Sequence, residues 1–425
     1  MSIQTPAQIL TAGVQPHAAS SQPSLIRELF KSISGTSVIS FAGGMPDPDL
    51  FPYETFSRCS SQILDHPETR RTALNYGPSE GYLPLRQWLS SHLGQLGVSL
   101  QSQDIQITSG GQQALDLVCR TLVSPGETVA VAQPTYLGAL QIFRSQGANV
   151  VGVPLDDEGP IVSALEDVFA QKPKFFYTVT DFSNPTGESM SLLRRQQLIA
   201  CARKYGIPIV DDAAYQQLRY RGDDMPPLMA LDNNSSNNHV GEKYPDNLVI
   251  HVGTFSKTLA PGLRVGWIAA PRAFLDKVVI MKQAADLHSP MLNQMLVKQA
   301  ADACYDDHVS SLRQHYGQKR DCMIDALQSV MPDDVQFTKP DGGMFVWLTL
   351  PEGFNAVDLM RKAIAEGNVA FIPGAPFFPN AEQGARYCRL SFSGPSKDDI
   401  VTGITSLAEV ITRSRRANAM TVDYG

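Results

Sequence analysis

From Gln101 onward, short apolar runs alternate with stretches whose apolar residues recur every three or four positions. The runs are Ile105–Thr108, Thr128–Ala132, Phe175–Thr180, Ile207–Asp211, Leu248–Val252 and Val265–Ala270. Most lack an internal polar alternation, which is how strands covered on both faces read. Between them, Gln112–Leu122 carries Leu115, Val118 and Leu122 at helical spacing, and Leu192–Tyr205 shows a similar stripe. Alternating β and α elements predict an α/β fold, a mostly parallel central sheet flanked by helices. After about Ala285 the pattern turns helical. It then gives a strand-like "GMFVWLTL", a helix and a second strand-like "YCRLSFS", which predict a smaller α+β domain.

The expected organisation is therefore residues 1–55 as an N-terminal arm and part of the small domain, 56–300 as the large domain, and 301–425 as the small C-terminal domain. Residues 1–24 are polar and rich in Ser, Gln, Ala and Pro, and read as a loose arm. "DNNSSNNHVGEKYPDN", within Leu231–Asn247, reads as a surface insertion without a core role. No internal repeat is visible.

Composition narrows the function classes. Two domains suit 425 residues. The net charge of -7 lacks the basic surplus of a nucleic-acid or anionic-membrane binder. The cluster Arg413, Arg415 and Arg416 reads as a solvated helix end. The six cysteines are scattered without a CxxC pair, so neither a zinc site nor a disulfide framework is indicated. No secretory signal pattern is seen, and no apolar run approaches the ~20 residues a spanning helix needs. The expectation is a cytoplasmic enzyme with no metal.

Five segments carry candidate chemistry. "HVGTFSKTLAPGLRVGW" (251–267) places Lys257 in a Ser/Thr/Gly-rich loop after an apolar strand. Its backbone N–H groups, Thr254 and Ser256 are suited to a phosphate, with Arg264 close by in sequence. Lysine is the side chain that condenses with carbonyl cofactors. Alone, the segment reads equally as a surface lysine in a flexible loop. "IVDDAAYQQL" (209–218) puts two carboxylates directly after a buried strand, where open α/β sheets bind ligands. Asp212 suits a protonated pyridine nitrogen and Tyr215 follows three residues later. Asp211 is the candidate for a helix N-cap. "FSNPTGES" (182–189) is a turn by composition, with Asn184 able to donate to a ring oxygen. "ITSGGQQALDLV" (107–118) ends a strand at Gly110 and Gly111 and opens a helix at Gln112, an anion-site arrangement that plain turns also use. In "PTYLGAL" (134–140), Tyr136 suits stacking on a cofactor, although a lone Tyr more often packs in a core.

Together these segments resemble the fold type I, class I/II aminotransferases that use pyridoxal 5'-phosphate. The subgroup most similar is that of 2-aminoadipate, kynurenine and broad-specificity aromatic or branched-chain aminotransferases. "SFAGGMPDPDLFP" (40–52), "NYGPSEGYLPLR" (75–86), "SNPTG" (183–187), "SKTLAPGLRVGW" (256–267) and "CRLSFS" (388–393) occur in the family's order. The resemblance implies that Lys257 carries the cofactor and moves the proton, and that Asp212 pairs with the ring nitrogen. It implies that Asn184 and Tyr215 bond the ring oxygen and that Tyr136 stacks on the ring. Gly110, Gly111, Gln112, Thr254, Ser256 and Arg264 would hold the phosphate, joined by Tyr76 from the other subunit of a homodimer. Arg389 would bind the substrate α-carboxylate, Gly44 would line the entrance, and Arg27 would meet a distal carboxylate. Gly111 departs from the family pattern, where many relatives carry Ser, so one phosphate-binding hydroxyl is lost.

The implied reaction is a ping-pong transfer of an amino group from an L-amino acid to a 2-oxo acid, 2-oxoglutarate foremost. Two alternatives stand beside it. One is decarboxylation, racemisation or elimination on the same fold, against which the Arg389 clamp argues. The other is a regulator's effector-sensing domain, against which the short polar N-terminus argues: before residue 40 its only basic residues are Arg27 and Lys31.

Overall fold

The apolar runs form one eight-stranded sheet in the computed structural model, which describes residues 37–235 and 247–422 together with Thr11, Ala12, Val14 and Gly35. In chain order the strands of the protein are β1 (Ile39–Ser40), β2 (Ile105–Thr108), β3 (Thr128–Gln133), β4 (Asn149–Asp156), β5 (Gly159–Pro160), β6 (Phe176–Thr178), β7 (Ile209–Asp212), β8 (Val249–Thr254), β9 (Gly266–Ala269), β10 (Gln336–Phe337), β11 (Phe345–Thr349), β12 (Val369–Ala370), β13 (Ile372–Pro373) and β14 (Tyr387–Ser391). The large sheet has the order β2-β9-β8-β7-β6-β3-β4-β5. Its centre, from β8 to β4, is parallel. β9 runs antiparallel between β8 and β2, so the loop carrying Lys257 joins two neighbouring strands at the carboxyl edge of β8.

β2 and β7 are buried at every position and β8 at all but its last. The cause is two layers of side chains. Val210, Ile250, Val252 and Ile268 face one core, whereas Ile107, Ile209, Val249 and Ala269 face the other. Each buried Val or Ile among them stabilises the fold by roughly 1.5–3 kcal/mol. β4 was not foreseen, because "NVVGVPLD" contains Gly and Pro and is only partly buried.

Local chemistry fixes the covering helices. Leu192–Tyr205 starts where the Ser191 hydroxyl accepts from the Arg194 amide at 3.2 Å. It stops at Gly206, whose φ of 68° suits the left-handed cap that glycine adopts without strain. The 40-residue helix Met291–Val330 passes along both cores, placing Val297, Ala301 and Val309 in one and Leu312, Tyr316 and Leu327 in the other.

A four-stranded antiparallel sheet, β10-β11-β14-β13, holds Arg389 on β14 opposite Trp347 and Ile372. β1 pairs with β12 in parallel. The next residues continue along the small sheet, with the Phe41 amide donating to Ala370 O and the Ser391 amide to Phe41 O. This draws Ala42 and Gly44 over the carboxyl edge of the large sheet.

Three expectations are corrected. Asp211 caps no helix: it lies inside β7, and the chain continues from Asp212 into turns. Arg413, Arg415 and Arg416 do not end a helix, since Lys397–Val422 runs on past them. Arg413 approaches Glu409 and Glu366, and Arg415 pairs with Asp334. The polar insertion begins inside a helix, Leu228–Ser235, and its Asp232 is buried, bonded to Arg203 and to the Leu248 amide. Residues 236–246 of the insertion lie outside the described residues.

Candidate active site

Loops leaving β2, β3, β6, β7 and β8 meet at one edge of the large sheet, and β14 closes the space from the other side. Lys257 is half-buried there, and its Nζ donates to Gly44 O at 2.8 Å. The same Nζ lies 5.8 Å from the centre of the Tyr215 ring. Burial, then the Arg389 charge, pull the Lys257 amine down to about 8, against the opposing pull of Asp212. A lysine so placed has an appreciable neutral fraction near neutral pH.

Asp212 ends β7, and register puts it on the same face as Tyr177 of β6. Tyr177 Oη donates to Asp212 Oδ2 at 2.8 Å. Burial raises the Asp212 carboxyl to about 6, with the Tyr177 bond working against the rise. Tyr177 escaped the sequence reading. A lone hydroxyl inside the apolar run Phe175–Thr180 was the available signal, but its partner is known only once register is. Asp211 faces the other side, where Thr180 Oγ1 donates to its Oδ1 at 2.7 Å.

Arg389 is 1% exposed. Its Nη1 donates to Asn184 Oδ1 at 2.9 Å and its Nη2 to Ala42 O at 2.8 Å. Nε is buried without a partner. The guanidinium lies 4.3 Å from the Phe345 ring centre and 5.3 Å from that of Phe377. Burial draws Arg389 down to about 10. No carboxylate among the described residues forms an ion pair with it, although a buried charge without an opposite charge costs several kcal/mol. Phe345 and Phe377 were also missed, since nothing local marks an aromatic as a platform for a distant arginine.

A phosphate-sized cradle lies at the start of the helix Gly111–Leu122. Gly110, with φ of 85°, precedes it and no side chain caps it. A Cβ on Gly110 would sit 2.5 Å from Arg264 Nη2, so glycine is required for the guanidinium to approach. Thr254 Oγ1 and Ser256 Oγ are 2.9 Å apart, and Gly111 faces Thr254. Gln112 occupies the first turn of the helix. Free N–H groups, two hydroxyls and an arginine fit an anion. Half-buried Tyr136 stands beside Gly138, where a Cβ would strike the phenol ring. The same set fits a phosphorylated pyridine cofactor: an anion cradle, an aromatic wall, a carboxylate for the ring nitrogen, and a lysine.

Tyr215 is buried beside these groups, its hydroxyl pushed well up by burial and countered in part by the Arg389 charge and then by Asn184. A Cβ on Gly44 would lie 3.0 Å from Phe345 Cζ. Tyr76 is not gathered into the site of its own chain. It is 82% exposed and stands edge-on to His288. Arg27 lies outside the described residues.

A family model described as aminotransferase class I and II matches residues 52–407. The 2-aminoadipate transaminase of Thermus thermophilus is 40% identical over 391 residues, covering 92% of this chain and 94% of that one. Aromatic-amino-acid aminotransferase 1 of Thermococcus litoralis is 40% identical over 394 residues, 91% of each chain. The crystal structure of alpha-aminoadipate aminotransferase from Thermus thermophilus, complexed with N-(5'-phosphopyridoxyl)-L-leucine, matches with a TM-score of 0.86 at 38% identity, over 95% of this chain and 98% of that one. With this match over most of its length, and with the sheet order and lysine loop described above, the chain belongs to the class I and II aminotransferases and has their fold type I architecture.

Proposed function

We propose that this aminotransferase moves an amino group from an aromatic, branched-chain or 2-aminoadipate-like L-amino acid to a 2-oxo acid, with 2-oxoglutarate as acceptor. The cofactor is pyridoxal 5'-phosphate, which when bound supplies a carbonyl for amino exchange and a ring that accepts electrons. The observation that carries the reading is Arg389: a buried guanidinium with only neutral partners, facing a lysine whose amine is drawn down to about 8. Substrate α-carboxylate supplies the missing charge, and the planar fork suits it.

The chain's own residues then divide the work. Lys257 Nζ would hold the cofactor and, once displaced by the incoming amino group, would be free to take the proton from the substrate α-carbon and deliver it on the cofactor side. Asp212, braced by Tyr177, keeps the ring nitrogen protonated. Asn184 and Tyr215 orient the ring oxygen, and Tyr136 covers one ring face. Gly110, Gly111, Gln112, Thr254, Ser256 and Arg264 anchor the phosphate. Gly44 lines the entrance, and Arg27 serves the distal carboxylate of a dicarboxylic substrate. In this reading 56–300 is the large cofactor-binding domain, 301–425 the small C-terminal domain, and 1–55 an N-terminal arm with part of the small domain. Tyr76 acts in the site of a second subunit of a homodimer working in the cytoplasm. Among the described residues no helix is long and apolar enough to cross a membrane.

The test is a panel of amino donors with 2-oxoglutarate, run on wild type, Lys257→Ala and Arg27→Ala. Borohydride should fix the cofactor to Lys257, and Lys257→Ala should lose turnover by orders of magnitude. Arg27→Ala should weaken dicarboxylic substrates alone. Near-normal turnover in Lys257→Ala would overturn the reading.

A further inference from the structure

Arg389 takes its stacking partner, Phe345, from one segment and its hydrogen-bond partner, Asn184, from another. Tyr215 comes from a third. These three segments are tied together below the site by a buried ionic cluster. Asp181 opens the turn that carries Asn184, and its Oδ1 accepts from Arg195 Nη2 at 2.7 Å and from Arg219 Nη2 at 3.1 Å. Arg195 is fully buried and also donates to Met190 O, Pro226 O and Thr180 O.

Arg219 is the joint. It follows Tyr215 by four residues, and its guanidinium lies 4.7 Å from the ring centre of Phe182, two residues before Asn184. Its backbone forms an isolated bridge with Gly342, three residues before Phe345. On either side, the Gly343 amide donates to Leu218 O and the Tyr220 amide to Asp341 O. The fit leaves no slack. A Cβ on Gly343 would sit 2.5 Å from Phe182 Cβ, and one on Gly187 would sit 2.3 Å from Phe345 O.

We infer that the Asp181–Arg219 pair is a positioning unit that holds the Asn184 turn, the Tyr215 turn and β11 in register around Arg389, and so sets affinity for the substrate carboxylate. This deepens the proposed function and rests on Arg389 being the carboxylate receptor. Arg219 touches neither cofactor nor substrate. Arg219→Gln leaves Asp181 paired with Arg195 and the backbone bridge to Gly342 in place, so it removes only the side-chain ties of Arg219 to Asp181, Asp224 and the Phe182 ring.

The experiment uses cofactor-loaded protein and an unreactive monocarboxylate, 4-methylpentanoate, whose binding is read from the cofactor's visible absorbance. Wild type must first bind it and transaminate, or the functional reading itself fails. Given that, Arg219→Gln should retain cofactor but bind the carboxylate about tenfold more weakly, the scale that a slightly misplaced contact produces. KM for amino acid and 2-oxo acid should rise more than kcat falls. Arg203→Gln, which breaks another ion pair to a buried carboxylate, is the control for general loosening. It should lower Tm without changing carboxylate affinity. If Arg219→Gln does not fold, Arg219→Lys, which keeps the positive charge but loses the planar guanidinium over Phe182 and its fork to Asp181, provides the same reading. Unchanged carboxylate affinity in the folded variant, or an equal loss in Arg203→Gln, overturns the inference.

Discussion

At Asp212 the requirements of function and stability conflict. The carboxylate is wanted in its charged form opposite a ring nitrogen, yet burial has raised it from the usual 3.8 to about 6. A carboxyl whose folded pKa is raised stabilises the fold below about 3.8, and that contribution is lost as pH climbs through about 6. Cofactor-free wild type therefore carries an uncompensated cost above pH 6 that Asp212→Asn removes. We predict a higher Tm for cofactor-free Asp212→Asn than for wild type at pH 7–8, with the gain shrinking toward pH 4. Calorimetry across that range checks it, and a gain that grows toward acid would contradict the sign. The same substitution should abolish turnover, since the isosteric amide offers the ring nitrogen no negative charge and puts an N–H donor where one acceptor oxygen stood. Sequence alone favoured Asp212 over Asp211 as the cofactor's partner, but only register shows why. Alternate residues of β7 face opposite sides of the sheet, so Asp212 shares a face with Tyr177 while Asp211 is bonded to Thr180.

Element by element, what was legible was whatever the chain encodes locally. The run Ile105–Thr108 and the helix Leu192–Tyr205 stand where their apolar patterns put them. The antiparallel β9 was not legible as such, because a buried strand reads the same in either direction. Contacts made at long sequence separation were equally hidden: Phe345 under Arg389, Tyr177 on Asp212, the segment around Gly44 over Lys257. Gly110 lies between these cases. Gly110-Gly111 before a helix suggested an anion site weakly, and the geometry now gives the reason. With φ of 85° and Arg264 Nη2 2.5 Å from an added Cβ, Gly110→Ala must both strain the backbone and displace the arginine. We predict that it weakens retention of the cofactor's phosphate at least tenfold, roughly 1.4 kcal/mol, while Gly111→Ala, whose Cβ meets nothing closer than 3.8 Å, keeps near-normal affinity. Equilibrium dialysis of pyridoxal phosphate against both variants decides it. Equal losses would place the effect in the helix terminus at large and not in the arginine.

For the molecule as a whole, the outstanding feature is a phosphate cradle from which one predicted member, Tyr76, stands apart. Every other proposed phosphate ligand comes from a strand end, loop or helix start at one sheet edge, whereas Tyr76 stands 82% exposed on the surface. Leu74 beside it is 68% exposed, and Leu287, next to the His288 ring that Tyr76 meets edge-on, is 45% exposed. Exposure of these apolar side chains is what a covering second subunit, as proposed above, predicts. A two-fold pair would offer the same patch twice and deliver each Tyr76 to the opposite site. The consequence is complementation. Lys257→Ala subunits carry an intact Tyr76, and Tyr76→Phe subunits carry an intact lysine. Each homodimer lacks one component at both sites. A mixed dimer contains one site with both defects and one with neither. Equimolar mixing under conditions that allow exchange should therefore place half the subunits in mixed dimers, and one site in four should regain wild-type behaviour. If Tyr76 instead served its own chain, no combination would restore a site and mixing would leave activity at the average of the two parents. Ultracentrifugation of the same samples supplies the second check, since an active species sedimenting as a monomer is incompatible with a shared site.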